Sequence, residues 1–187
     1  MTRTPPAARD IWQEFHWAFF LNTQGLILSL QRFALLQDAG DMAGAAGELD
    51  AAAVLMDASA AAMQLAGSFT RADYETEVRP SMTPPHVQSE GFSGLMSWEH
   101  GVLVNLWRSL RPRFAELPDA LAPAHARFAN AYRCMAEGHV NVCARFVGNG
   151  NASLRYDNRE ALVSLRRFGQ TRLASIDPNG VTAEHEE

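Results

Sequence analysis

Apolar side chains recur every three or four residues along most of this chain, the period of helices with one buried face. Strand-like alternation of Val, Ile and Thr is nearly absent, while Ala, Leu, Met, Gln and Glu are plentiful. After Pro5-Pro6, the positions Ile11, Phe15, Phe19, Asn22, Leu26, Leu30 and Phe33 predict an amphipathic helix of about 25 residues ending near Gly40. A second is expected from about Ala45 to Ala66, with Leu49, Ala52, Ala53, Met56, Ala60, Met63 and Ala66 on one stripe. Its alanines allow close approach of a neighbour. Thr70 and Asp73 read as the N-terminus of a short piece that ends before Pro80.

From Arg79 to Gly94 the pattern breaks. This 16-residue stretch holds three prolines and two glycines, so a helix is not expected to continue through it. Loops of that length in compact domains are usually functional or disordered. A third helix is predicted from about Leu95 to Leu110, with Leu95, Trp98, Val102, Leu106 and Ser109 inward and Pro112 and Pro118 marking the next turn. A fourth is predicted from about Pro123 to Val147, with Phe128, Tyr132, Met135, His139, Val142, Cys143 and Phe146 on one face. A Gly-Asn-rich break follows from Gly148, and Asn158 caps a last helix ending near Ala174. The expected architecture is all-α: a compact helical bundle in a single domain, residues 1–176, with a mobile polar tail, 177–187.

Composition narrows the class. With 16 basic and 21 acidic residues the chain carries −5, which argues against a nucleic-acid partner. Apolar runs such as Leu26 to Leu30 are far short of the ~20 residues of a membrane span, and no leader is visible at Met1–Ala8. Two cysteines, Cys134 and Cys143, are no disulfide framework, and the expected setting is cytoplasmic.

His139 and Cys143 stand out chemically. Four residues apart on a helix, they share an otherwise apolar face and lie ~6 Å apart along the axis. The imidazole could ligate a metal centre while the thiol touches the same cofactor. The plainer alternative is a hydrogen-bonded core histidine beside a core cysteine. His16 is flanked by Phe15, Trp17, Phe19 and Phe20, an aromatic box that suits a flat substrate or cofactor, or else an ordinary core stripe. His100 opens the third helix, where free backbone N–H groups could dock a carboxylate.

The order of these pieces resembles the haem-dependent aromatic oxygenase superfamily, which includes tryptophan 2,3-dioxygenase and the haem-dependent tyrosine hydroxylases. Three blocks carry the resemblance. His16, Leu21 and Leu26 lie in a long aromatic-rich helix similar to the distal-pocket helix. Val78-Arg79-Pro80-Ser81-Met82, then Gly91-Phe92-Ser93-Gly94 and a helix, is similar to the segment that clamps the substrate carboxylate. His139, with Arg145 six later and Gly148 nine later, matches the proximal-histidine stretch and its Gly-rich loop. His139-x-x-x-Cys143 resembles the branch of tyrosine hydroxylases whose haem is attached through one cysteine. The chain is much shorter than typical members, and the arginine that clamps the carboxylate has no secure counterpart among Arg79, Arg108 and Arg155.

The resemblance implies a tryptophan 2,3-dioxygenase-like core holding haem between the first and fourth long helices. His139 would be the axial ligand, with Cys143 and Arg145 as further haem-binding residues. His16 would be the distal catalytic histidine. Phe92, Ser93, His100 and Asn151 would contact substrate, and Gly148–Ser153 would form a lid. The implied reaction is hydroxylation of tyrosine or a derivative with peroxide or O₂. The rivals are ring cleavage of the tryptophan type, haem binding without turnover, and a cofactor-free interaction module. A homo-oligomer is expected.

Overall fold

The computed structural model describes residues 6–87, 97–147 and 161–180. Among them every regular element is helical. Helix α1 spans Ala8–Asp38 and α2 Met42–Ala66. Their turn uses Gly40 at φ 76°, a left-handed conformation that glycine adopts without strain, and Asp41 caps α2 by accepting from the Gly44 N–H at 2.8 Å. Helix α3, Arg71–Asp73, opens with the expected cap: Thr70 and Asp73 form a reciprocal capping box.

The chain then departs from expectation. A wide π turn, Tyr74–Val78, leads straight into α4, Arg79–Ser81, so helical structure runs through Pro80. The i→i+5 turn, closed by Arg79 N–H to the Tyr74 carbonyl, accommodates a proline that an α-helical ladder would reject. Helix α5 is Trp98–Ala115 and includes Pro112 in its last turns, where one lost ladder bond is tolerated. Its buried stripe is Leu103, Trp107, Leu110 and Phe114; Trp98, expected inside, is 76% exposed. A 3-10 turn, Asp119–Leu121, leads into α6, Ala122–Val147, and α7 is Ala161–Ile176. Asn158 and the expected lid at Gly148–Ser153 lie outside the described residues.

Side-chain ties give the helix directions. Gln24 donates to Glu99 and Arg113 forks onto Asp38 at 2.7 and 2.9 Å, so α1 and α5 run parallel. Arg127 pairs with Asp50 and the end of α2 meets Val142, so α2 and α6 also run parallel. His125 bonds the Ile176 carbonyl at 2.7 Å and Tyr132 the Gly169 carbonyl at 3.1 Å, which sets α7 antiparallel to α6. The main core packs Leu30, Phe33, Leu49, Met56, Phe114, Phe128 and Tyr132, with Phe33 stacked on Phe114 at 5.7 Å. A smaller cluster joins Ala8, Tyr74, Val78 and Phe146, with Trp12 and Val142 against it. It draws the start of α1 to the end of α6.

Two surface features follow. Helix α2 is long and apolar enough to cross a membrane by length and composition, but here it packs between α1 and α6 as a core helix. The start of the expected tail is pinned, since Asp177 accepts from Arg133 at 2.6 Å and Asn179 donates to the Ala115 carbonyl.

Candidate functional site

The small cluster positions His16. Its ring lies 4.2 Å from Trp12, and its Nδ1 is 2.7 Å from the Trp12 carbonyl. A carbonyl only accepts, so Nδ1 carries the proton and Nε2 keeps a lone pair. Burial lowers the pKa of this imidazole. The aromatic partner is therefore Trp12 rather than the expected box. Residues four apart differ by about 40° around a helix, whereas adjacent ones differ by about 100°. Trp17 accordingly faces outward, 68% exposed, and pairs with Phe20.

His139 retains some surface, yet loss of water pushes its pKa down to about 4, with Arg172, His16 and His100 adding in that order. The imidazole stays neutral above about pH 4 and keeps a lone pair for an electrophilic partner. One turn on, burial raises the Cys143 thiol to about 11, so it remains protonated and inert as a bare nucleophile. Tyr74 lies within the electrostatic reach of Cys143.

His139 on α6 lies within electrostatic reach of Arg172 on α7, His16 on α1 and His100 on α5. Among the described residues no carboxylate shifts either His139 or Arg172.

The remaining expected residues divide. The backbone N–H of His100 is taken by the Ser97 side chain at 3.2 Å, so that donor is not open to a carboxylate. Arg145 is not brought to the cluster. Six residues beyond His139 it lies about 240° around the helix, exposed, with its guanidinium 5.4 Å over Phe146 and 3.5 Å from the Phe69 carbonyl. His125 is committed to the Ile176 carbonyl, and His86 is exposed. Phe92, Ser93 and Asn151 lie outside the described residues. Arg172 is the residue that sequence reasoning missed. Its signal is an arginine on the apolar stripe of α7, one turn after Phe168.

Among the described residues, no three His, Cys, Asp or Glu side chains converge closely enough to hold a metal ion by themselves. A metal here would have to bring further ligands of its own. The neutral imidazole of His139, the Cys143 thiol one turn away and the unprotonated Nε2 of His16 are donors of the kind such a group would use.

Structurally, then, the described residues form a helical bundle in which a desolvated, neutral His139 lies one turn before Cys143. The family model described as SfmD 3-methyl-L-tyrosine peroxygenase matches residues 1–124, and the chain belongs to that family. The matched span includes His16 and His100 and ends before His139. A curated relative, the 3-methyl-L-tyrosine peroxygenase of Streptomyces lavendulae, is 30% identical over 198 residues, covering 97% of this chain and 51% of its own. The chain therefore spans about half the length of that relative. No solved structure matches.

Proposed function

We propose that the chain is a haem-dependent peroxygenase that hydroxylates tyrosine or a ring-substituted tyrosine. The observation that carries this reading is the neutral His139, one turn before Cys143 and within the field of two further histidines, in a chain of the peroxygenase family. Its order of motifs, similar to the wider haem-dependent aromatic oxygenases, supports the same cofactor and a core of that type. His139 would hold the iron, and Cys143 would hold the porphyrin through the covalent attachment that the resemblance implies. When bound, haem supplies the oxidising power for placing one oxygen atom on the aromatic ring.

The chain's own residues do the rest. Burial holds His139 unprotonated, so no proton competes for its lone pair. The Trp12 carbonyl fixes the His16 ring and leaves Nε2 unprotonated, so that it could accept a proton from peroxide and return it. The indole of Trp12 beside it supplies a flat apolar wall and excludes water. The setting in this reading is cytoplasmic, with an aromatic amino acid as small-molecule partner.

Self-association belongs to the same proposal. Trp17, Leu21, Leu28 and Leu35 are all more than 60% exposed and run down the outer face of α1. The leucines recur every seven residues, the spacing with which a helix packs lengthwise on a copy of itself. Leu28→Glu should keep the helix content and turn a dimer into a monomer in sedimentation. A wild type that is already monomeric removes this part.

Turnover tests the whole. Hemin-loaded protein given hydrogen peroxide and tyrosine or 3-methyltyrosine should yield a product heavier by one oxygen atom. His16→Ala should keep haem and lose ~10²–10⁴ in rate. A product with two added oxygens would instead mean ring cleavage, and no product would mean a haem-binding protein without turnover.

A further inference from the structure

Helix α1 opens without a cap of its own. Ala7 is extended and offers no side-chain hydrogen bond, so the first N–H groups of the helix need partners from elsewhere. Glu77, 69 residues further on, supplies one: its Oε2 accepts from the Ala8 N–H at 3.1 Å. Glu77 makes no ion pair among the described residues, whereas Glu75 beside it pairs with Arg71 at 3.0 Å. The π turn that carries Glu77 is seated by its neighbours, because Tyr74 and Val78 are buried with Ala8 against Trp12.

A column of hydrogen bonds runs from this carboxylate to His16. The peptide group whose N–H leaves Ala8 accepts, at the Ala7 carbonyl, from the Asp10 N–H at 3.0 Å. The Asp10 peptide accepts, at the Arg9 carbonyl, from the Gln13 N–H in the helical ladder. The Gln13 peptide accepts, at the Trp12 carbonyl, from His16 Nδ1–H at 2.7 Å. Three peptide groups thus join the Glu77 carboxylate to the imidazole. Peptides bonded in series polarise one another in the same sense, and an anion at the N–H end makes each carbonyl a stronger acceptor.

We propose that Glu77 is a positioning residue for His16: bonded to the start of α1, it holds the turn that carries Trp12 and strengthens the carbonyl that keeps the His16 proton on Nδ1. Glu77 touches no reacting atom and acts through α1. Its effect on the ring rests on these hydrogen bonds; its effect on turnover rests on the function proposed above.

NMR of the nitrogen-labelled, purified chain tests the positioning without any cofactor. The wild type should show His16 as the Nδ1–H tautomer, with a ring proton that exchanges slowly with water. Glu77→Ala should speed exchange of that proton and of the Ala8 amide by about ten-fold or more, the worth of one charge-assisted bond. Glu77→Gln keeps an acceptor oxygen without the charge and should fall between. Two further variants separate positioning from general loosening. Glu75→Gln removes a neighbouring charge, and Arg113→Gln cuts the tie between the far end of α1 and Asp38's partner on α5. Both should leave the His16 signals at their wild-type values. An Nε2–H tautomer in wild type, an unchanged ring proton in the Glu77 variants, or an equal change in Glu75→Gln or Arg113→Gln would overturn the inference. The wild-type tautomer and Glu77→Gln keep the test decisive if Glu77→Ala does not fold. With hemin and peroxide, Glu77→Gln should lower kcat about ten-fold, part of the ~10²–10⁴ that a proton-transferring side chain is worth, and leave the KM for tyrosine unchanged. A wild type without turnover removes the proposed function and leaves the ring signals to decide the positioning. A changed ring with an unchanged kcat keeps the positioning and removes His16 from the chemistry.

Discussion

Tyr132 joins two helices through one oxygen, which makes it the sharpest residue-scale test of the site's scaffold. The ring is buried and its hydroxyl reaches the Gly169 carbonyl, so Tyr132→Phe leaves that acceptor without its partner. The expected cost is roughly 1–3 kcal/mol in urea unfolding. Desolvation raises the phenol to about 12 from an ordinary 10. A raised acid is neutral in the folded state while the unfolded chain ionises. Its contribution is therefore fully present below pH 10 and is lost as pH rises towards about 12. Phenolate absorbance at 295 nm should show a late-ionising tyrosine that is missing from Tyr132→Phe; an unchanged titration would contradict the buried hydroxyl. At this scale the sequence was partly legible. The i,i+4 spacing of His139 and Cys143 placed both on one face. The partner of His16 was not, because neighbours in sequence diverge around a helix while Trp12, four residues back, stacks on the ring. Arg172 was visible as an arginine on an apolar stripe, but only the placement of α7 against α5 and α6 brings it to His139.

At the scale of elements, two glycines of one helix predict opposite outcomes. Gly67 ends α2, and a methyl group there would meet Val142 Cγ1 at 2.7 Å and Phe146 Cε2 at 3.1 Å. Gly67→Ala should destabilise by about 1–3 kcal/mol, because packed neighbours must move. The strain falls beside Cys143. Gly47 lies mid-helix with nothing within 4 Å of such a methyl, so Gly47→Ala should stabilise by roughly 0.5–1 kcal/mol. Urea midpoints of the two variants should move in opposite directions; a shared sign would mean that α2 and α6 do not meet as described. The periodicity that predicted α2 and α6 also located their buried faces, because alanine-rich and aromatic stripes leave little choice. It misjudged α5 by one register position: Val102 and Leu106 are half-buried, while Leu103, Trp107 and Leu110 face the core. Both sets repeat at helical spacing, and only packing on α1 decides between them. Pro80 and Pro112 read as stops because the expectation assumed an α-helical ladder, whereas a π turn and a closing turn each absorb one proline.

For the whole molecule, the bundle brings His16, His100 and Arg172, from three other helices, within electrostatic reach of His139 on α6. That arrangement needs long-range packing and is invisible to any local pattern. The family match covers α1 to the start of α6, so the shared part of the fold includes the helices that present His16 and His100. The proposed chemistry depends on His139 in the second half of α6. The most direct test is the absorption spectrum of purified chain titrated with hemin, run beside His139→Ala. The wild type should saturate at one haem per chain with a Soret band shifted from that of free hemin. His139→Ala should keep its helix content and lose that band. A wild type whose spectrum stays that of free hemin, or a His139→Ala variant that reproduces the wild-type band in full, would contradict the assignment of His139.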